Sequence, residues 1–264
     1  MKDYQYNFSE MHQDIYFDVA GRSRKAEKML RILRDHLGED LSAMHALDVG
    51  CSTGAMSSLL GEHFGHVTGI DIDTNAVAHA QATLGSNTLD FRIGDAMETG
   101  LPPDSMDVVI CAHVYEHVPD AARMLTEIHR LLRPGGVCYF AAENKFVFRE
   151  GDYRLPFLSI LPKFMAHRYL RLAGRGDHYY EELHTYWRLK DMTRAFDRID
   201  YTRRVVREPE HFAAGDIIKE GSFQQRVALA MLDHAYWLFP TYLWLLRKPE
   251  RPESGRGISG AQIP

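Results

Sequence analysis

Short clusters in the chain combine residue types that do chemistry. Asp48-Val-Gly50-Cys-Ser-Thr-Gly54 sets a carboxylate beside two glycines. Gly50 permits a tight turn, and Gly54 lets backbone come close to a ligand where a helix begins. Asp71 stands 17 residues beyond Gly54, and Asp95 sits in Ile93-Gly-Asp-Ala96. A carboxylate so placed can accept both hydroxyls of a ribose, whereas a pyrophosphate would be repelled by several of them. His113-Val-Tyr-Glu-His117 adds two imidazoles, the side chains whose protons move most readily near neutral pH. The chemistry suggested is capture of a nucleoside-like ligand without a bound phosphate, with acid–base groups next to it.

The surrounding pattern says how these residues are positioned. Tyr16 to Leu37 reads as an amphipathic helix, with Ala26, Met29, Leu30 and Leu33 at helical spacing, closed by Gly38. Apolar runs at His45–Gly50, Val67–Asp71, Leu89–Ile93, Met106–Cys111 and Val137–Ala142 read as strands. Helices are expected at Met56–Leu60, Asn75–Leu84 and Asp120–Leu132. Five β-then-α units in order predict an α/β fold, a doubly wound, mostly parallel sheet in which ligands bind beyond the carboxyl ends of the strands. After residue 142 the rhythm breaks, then resumes with a helix near Trp187–Phe196, a strand near Ile199–Val206, a helix around Ser222–Leu238 and a strand at Thr241–Leu246. Residues 1–247 are thus expected to form one domain: a helical cap (1–40), a binding core (41–145), an inserted lid (146–184) and the rest of a seven-stranded sheet (185–247). The Pro-, Gly- and charge-rich stretch 248–264 is expected to be disordered.

Taken together, residues 47–54, Gly-Ile-Asp-Ile-Asp (69–73), Gly-Asp-Ala (94–96), residues 107–118 and Leu-Leu-Arg-Pro-Gly-Gly (131–136) closely resemble the class I S-adenosylmethionine-dependent methyltransferases, nearest to the ubiquinone-biosynthesis-like branch. The resemblance implies a Rossmann-like fold and S-adenosylmethionine as cofactor. It further implies that Asp48, Gly50, Cys51, Thr53 and Gly54 cradle the methionine end, that Asp71 holds the ribose diol, and that Ile72, Asp95 and Ala96 flank and read the adenine. His113 would stand near the sulfonium. Ser52 departs from the family, which commonly has glycine there, and its small side chain is expected to be tolerated. A dinucleotide-binding dehydrogenase is disfavoured, because the loop runs Gly-x-Ser-x-Gly rather than Gly-x-Gly-x-x-Gly.

Methyl transfer is an in-line displacement, in which positioning supplies most of the catalysis. A hydroxyl acceptor also benefits from a base, for which His113 and His117 are the candidates, with His178 and His184 in reserve. His-x-x-Glu-His also looks like a zinc hydrolase signature, but Pro119 and Asp120 start the helix only after it. Some related methyltransferases bind a divalent ion through Glu-x-x-Glu-His here; with His113 replacing the first glutamate, no metal is assigned at His113, Glu116 and His117. Ala112-His-Val-Tyr115 lacks the Asn/Asp-Pro-Pro-aromatic loop of nucleobase amine methyltransferases. The expected acceptor is therefore a small molecule, a glycan or a lipid-linked compound, methylated on oxygen; the alternatives are a cofactor-binding scaffold without turnover and a divalent-metal-assisted O-methyltransferase.

Composition is average for a soluble globular protein, at 45% hydrophobic and 25% charged residues, which excludes disordered, collagen-like and coiled-coil classes. A net charge of −5 excludes a surface given over to nucleic acid. Residues 145–176 carry seven basic side chains against two acidic ones. Arg154, Lys163, Arg168, Arg171 and Arg175 among apolar residues suggest peripheral membrane contact through 154–175. Cys51, Cys111 and Cys138 lie in or beside apolar strands without a Cys-x-x-Cys pair, as in a reducing compartment. No signal-peptide run opens the chain, and the longest uncharged apolar run, Ala235–Leu246, is too short to span a bilayer. The expected location is cytoplasmic, at the inner membrane surface if the lid engages lipid. Trp237, Phe239, Tyr242 and Trp244 are expected in the core, with a homodimer surface nearby.

Overall fold

The computed structural model describes residues 19–250. Helix α1 (Val19–Leu37) precedes β1 (His45–Val49), α2 (Ala55–Gly61), β2 (His66–Asp71), α3 (Thr74–Leu84) and β3 (Leu89–Ile93). β4 (Met106–Ala112), α4 (Ala121–Leu131) and β5 (Leu132–Glu143) complete the parallel part. Beyond the insertion come α5 (Lys163–Leu172), α6 (Tyr186–Met192), β6 (Asp197–Asp200), α7 (Thr202–Arg207), α8 (Phe223–His234) and β7 (Thr241–Arg247). The seven strands lie in the order β3-β2-β1-β4-β5-β7-β6, parallel except for β7, which runs antiparallel to both neighbours. The chain winds outward from β1 to β3, then returns to β4 and proceeds the other way. The reversal opens a crevice at the carboxyl ends of β1 and β4, where such sheets bind ligands.

Both faces of the central strands are covered, so β4 and the body of β5 are apolar without alternation. One layer joins Met29, Leu30 and Leu33 of α1 to Leu60, Val77 and Ala80, and the other joins Met124, Leu125 and Ile128 of α4 to Phe140, Leu189 and Trp244. Two aspartates turn strand into helix: Asp73 accepts from the backbone N–H of Asn75 and Ala76, and Asp120 from those of Ala122 and Arg123. Each such cap contributes about 1 kcal/mol.

Several expectations need correction. β3 is followed by no helix: Gly94, Gly100, Pro102 and Pro103 break the segment, which is tied instead by Glu127 accepting from the Thr99 N–H at 2.9 Å and its hydroxyl at 2.6 Å. The strand expected through Val206 ends at Asp200, whose carboxylate accepts from the Thr202 N–H at 2.9 Å and starts α7. There Val205 and Val206 are buried as a helix face rather than a strand face. The helices at Trp187–Phe196 and Ser222–Leu238 stop at Met192 and His234, the latter followed by a 3₁₀ turn at Tyr236–Leu238. Trp237 is 38% exposed, not core. Lys248, placed in the tail expected to be disordered, is fixed by its ammonium on Asp104 at 2.6 Å and on the Leu132 carbonyl at 2.7 Å. The rest of that tail, 251–264, and residues 1–18 of the helical cap lie outside the described residues.

Residues 146–184 leave the sheet and gather around a small apolar cluster of their own, Tyr153, Leu158, Ala166, Leu170 and Tyr179. Its return is anchored by Tyr115, whose hydroxyl donates to the Glu143 carbonyl at 2.5 Å and accepts from the His184 N–H at 3.1 Å.

Candidate functional site

The loop after β1 is pinned to the end of β2. Gly50 and Cys51 donate their N–H groups to the Ile70 carbonyl at 2.8 and 3.0 Å. One Asp71 oxygen accepts from the Ser52 N–H at 2.7 Å and the other from the Asp73 N–H at 2.9 Å. Each oxygen keeps lone-pair capacity for a further donor. Gly50 has φ +74° and Gly54 φ +77°, conformations that favour glycine. A Cβ on Gly54 would stand 2.5 Å from the Phe91 ring, so this glycine serves packing against β3 rather than the approach of a ligand. Ser52 has φ +52°. Its cost is therefore one of backbone conformation, which small size does not relieve.

Of the other residues singled out in this loop, Cys51 turns its thiol into the core, leaving only its backbone for a ligand, and Thr53 is half-buried. Asp48 is buried under the loop and accepts from the Ser57 hydroxyl at 2.6 Å. Burial pushes its carboxyl up to about 6; the Ser57 bond opposes this and the nearby Asp71 adds to it. Burial likewise raises Asp71, against its backbone hydrogen bonds. Ile72, Asp95 and Ala96 are half-buried past β2 and β3, with Asp95 accepting from the Met97 N–H at 2.7 Å. Acids at the ends of three successive strands fit a cationic, phosphate-free nucleoside such as an adenosyl sulfonium, and disfavour a dinucleotide.

At the end of β4 the two candidate histidines part company. His113 adopts φ +58°, and its ring, 44% exposed, sets Nδ1 3.5 Å from the buried Glu116 carboxylate. Burial would lower the imidazole, but the hydrogen bond and charge of Glu116 outweigh it and raise His113 above the ordinary histidine value. Reciprocally, His113 holds Glu116 below the usual carboxylate range despite burial. The His117 ring instead lies between Asp152, at 3.6 Å, and Glu181, at 3.9 Å. Of the reserve histidines, His178 stacks on His167 in the lid at 4.0 Å between centroids, and His184 packs against Tyr115.

Glu143, Glu150, Asp152 and Glu181, none of them singled out from sequence, converge on this side. Burial pushes Glu143 and Glu150 up to about 7 and Glu181 to about 8, with repulsion from neighbouring acids contributing in each case. No local motif signals them, because they come from the end of β5 and from both ends of the lid. Of the lid's cations only Lys163 reaches this side, and it does so through backbone carbonyls. Lys163 donates to the carbonyls of Tyr179, Tyr180 and Glu181, while Arg154, Arg168, Arg171 and Arg175 are exposed. A cleft of about 430 Å³ at the opposite end of the sheet, lined by His45, His66, Thr68 and Arg92, has its polar groups committed, since His66 and Thr68 both bind Asp90.

Known proteins resemble part of this chain in sequence and most of it in fold. Residues 47–140 match the methyltransferase domain family. A Mycolicibacterium smegmatis protein named an S-adenosylmethionine-dependent methyltransferase is 33% identical over 120 residues, covering 46% of each chain. A ubiquinone biosynthesis O-methyltransferase of Colwellia psychrerythraea is 33% identical over 138 residues, covering 51% of this chain and 52% of that one. The chain spans about half the length of these relatives. Among solved structures, the cyclase SpnF superposes with TM-score 0.53 at 20% identity, covering 85% of this chain and 82% of that one. A methyltransferase bound to the Haloferax volcanii activator Trm112 superposes with TM-score 0.56 at 16% identity, covering 92% and 98%. These likenesses establish the fold. Residues 47–140 thus carry the sequence pattern of the methyltransferase domain family. The relatives to which this region is similar include ubiquinone biosynthesis O-methyltransferases.

Proposed function

We propose that this chain transfers the methyl group of S-adenosylmethionine to a hydroxyl oxygen of a small, largely apolar acceptor. The observation that carries the reading is the line of Asp48, Asp71 and Asp95 at the ends of β1, β2 and β3 beside the half-exposed, Glu116-backed His113. Bound there, the cofactor supplies an electrophilic methyl on a positively charged sulfur. Asp71 would accept the ribose hydroxyls, Ile72 and Ala96 would flank the adenine with Asp95 at its edge, and the backbone of 50–54 over Asp48 would hold the methionine end. His113 would take the acceptor's proton while the methyl exchanges its bond to sulfur for one to oxygen, the sulfur leaving as a neutral thioether, and Glu116 would stabilise the resulting imidazolium. His117, engaged with Asp152 and Glu181, is assigned no proton-transfer role.

An apolar acceptor is supported by the partly exposed Phe146, Trp187 and Trp237, with Trp237 in ring contact with each of the other two. Contact with a lipid surface is supported by exposed Phe148, Phe157, Phe164 and Leu172 near Arg168 and Arg171. Among the described residues no helix is long and apolar enough to cross a membrane. The test is incubation with methyl-labelled cofactor and fractionated cell extract. Label in an alkali-stable, low-mass product that hydriodic acid releases as methyl iodide supports methylation of a hydroxyl; label that resists that cleavage would refute it, and cofactor binding without transfer to any fraction would favour a scaffold. Sedimentation with anionic vesicles at low salt tests the lid, and failure to sediment removes the membrane contact.

A further inference from the structure

Glu181 has no place in the proposed transfer, yet it is the least accommodated acid among the described residues. It is 1% exposed, and neither carboxylate oxygen has a hydrogen-bond partner. A buried carboxylate left so is strongly penalised unless a cation or proton meets it. One oxygen points to the His117 ring at 3.9 Å, and Asp152 approaches the same ring at 3.6 Å. One donor atom from each of the three lies within 4.8 Å of the others. Metal bonds of about 2.0–2.2 Å would bring such donors to roughly 3–3.5 Å from one another, a contraction that side-chain rotation can supply.

We propose that His117, Asp152 and Glu181 form a binding site for a divalent cation of the Mn²⁺ or Zn²⁺ class. One imidazole with two carboxylates suits those ions better than purely oxygen-loving Ca²⁺, and three protein ligands leave positions open for water or substrate oxygen. The ligands come from separate parts of the chain, which meet beside the site where the Glu182 N–H donates to the Glu116 carbonyl at 2.9 Å. His117 belongs to the turn before α4, and Asp152 and Glu181 to the two ends of the lid. The ion would therefore add a tie between lid and core to the backbone and Tyr115 hydrogen bonds already there. Glu150, whose oxygens accept from the Asp152 and Tyr153 N–H groups, fixes the loop that presents Asp152.

This inference does not depend on methyl transfer, since binding is read without cofactor. The full-length protein, stripped by chelator, is titrated with Mn²⁺ and the free ion followed by electron paramagnetic resonance; lid closure is followed by limited proteolysis within 146–184. Saturable binding of one ion is expected, displaced by Zn²⁺ and accompanied by protection of the lid. Glu181→Gln and Asp152→Asn should each weaken binding about tenfold or more, with circular dichroism unchanged. Asp152 lies at the rim of the site, so its variant remains informative if Glu181→Gln disturbs folding. His113→Ala should bind as the wild type does. No saturable binding, binding indifferent to both acid substitutions, or binding lost in His113→Ala would each overturn the proposal.

Discussion

Replacing Asp71 by asparagine probes cofactor capture with little change of shape. The wild-type carboxylate already spends one lone pair on each of two backbone N–H groups, at 2.7 and 2.9 Å. Asparagine keeps a single accepting oxygen and turns an amide NH₂ toward the other donor. One loop contact and one ribose contact are lost together. Hydrogen bonds to charged groups contribute about 1.5–3 kcal/mol. Burial has already raised Asp71, so its ionised form is less comfortable than in water and the lower part of that range applies. A loss of about 2 kcal/mol corresponds to roughly 30-fold weaker binding. Calorimetric titration with S-adenosylhomocysteine at fixed pH and salt reads this directly, with a parallel thermal melt to register loosening of the loop. Affinity within about twofold of wild type would remove Asp71 from the site and refute the reasoning.

Other outcomes follow from the same contacts. Because His113 must be neutral to accept a proton and Glu116 raises it, the acidic limb of the rate profile should lie above pH 6.5, and Glu116→Gln should move it to lower pH; an unmoved limb contradicts the pairing. Cofactor affinity should fall as pH drops through about 6, where free Asp48 takes up a proton that a cationic ligand must displace; a flat affinity between pH 5 and 7.5 argues against Asp48. Gly54→Ala combines a left-handed backbone with a Cβ pressed on Phe91, and should destabilise the fold by roughly 2–4 kcal/mol in denaturant unfolding. Arg130 and Thr99 hold Glu127 down to about 2, so its stabilisation is complete above the ordinary value of 4.5 and is lost as pH falls toward 2. Glu127→Gln should cost on the order of 1–2 kcal/mol at pH 7 and nothing near pH 2.

Legibility tracked sequence distance. β1, β2, β4 and β5 were readable because buried parallel strands are apolar runs, and the acids ending β1 and β2 stood out against them. Asp73 and Asp120 made α3 and α4 readable to within a residue or so. α7 was misread because Val205 and Val206 look like strand residues until Asp200 is seen capping the turn. The glycines and prolines of 94–105 were present in the sequence, but regular alternation outweighed them. At the site, the resemblance already set His113 rather than His117 near the sulfonium; what the sequence did not carry is the arrival of Asp152 and Glu181 from the lid at His117. The lid's basic excess was a count along the chain. It could not say that Lys163 binds backbone carbonyls while the acids turn toward the histidines.

The central claim is that the crevice beyond β1, β2 and β4 holds S-adenosylmethionine with its methyl presented toward His113. A crystal structure with S-adenosylhomocysteine tests it most directly. The account predicts both ribose hydroxyls on Asp71, adenine between Ile72 and Ala96, the amino acid end over residues 50–54, and the sulfur facing the His113 side of the crevice. A nucleoside bound elsewhere, or a sulfur directed away from His113, would contradict it.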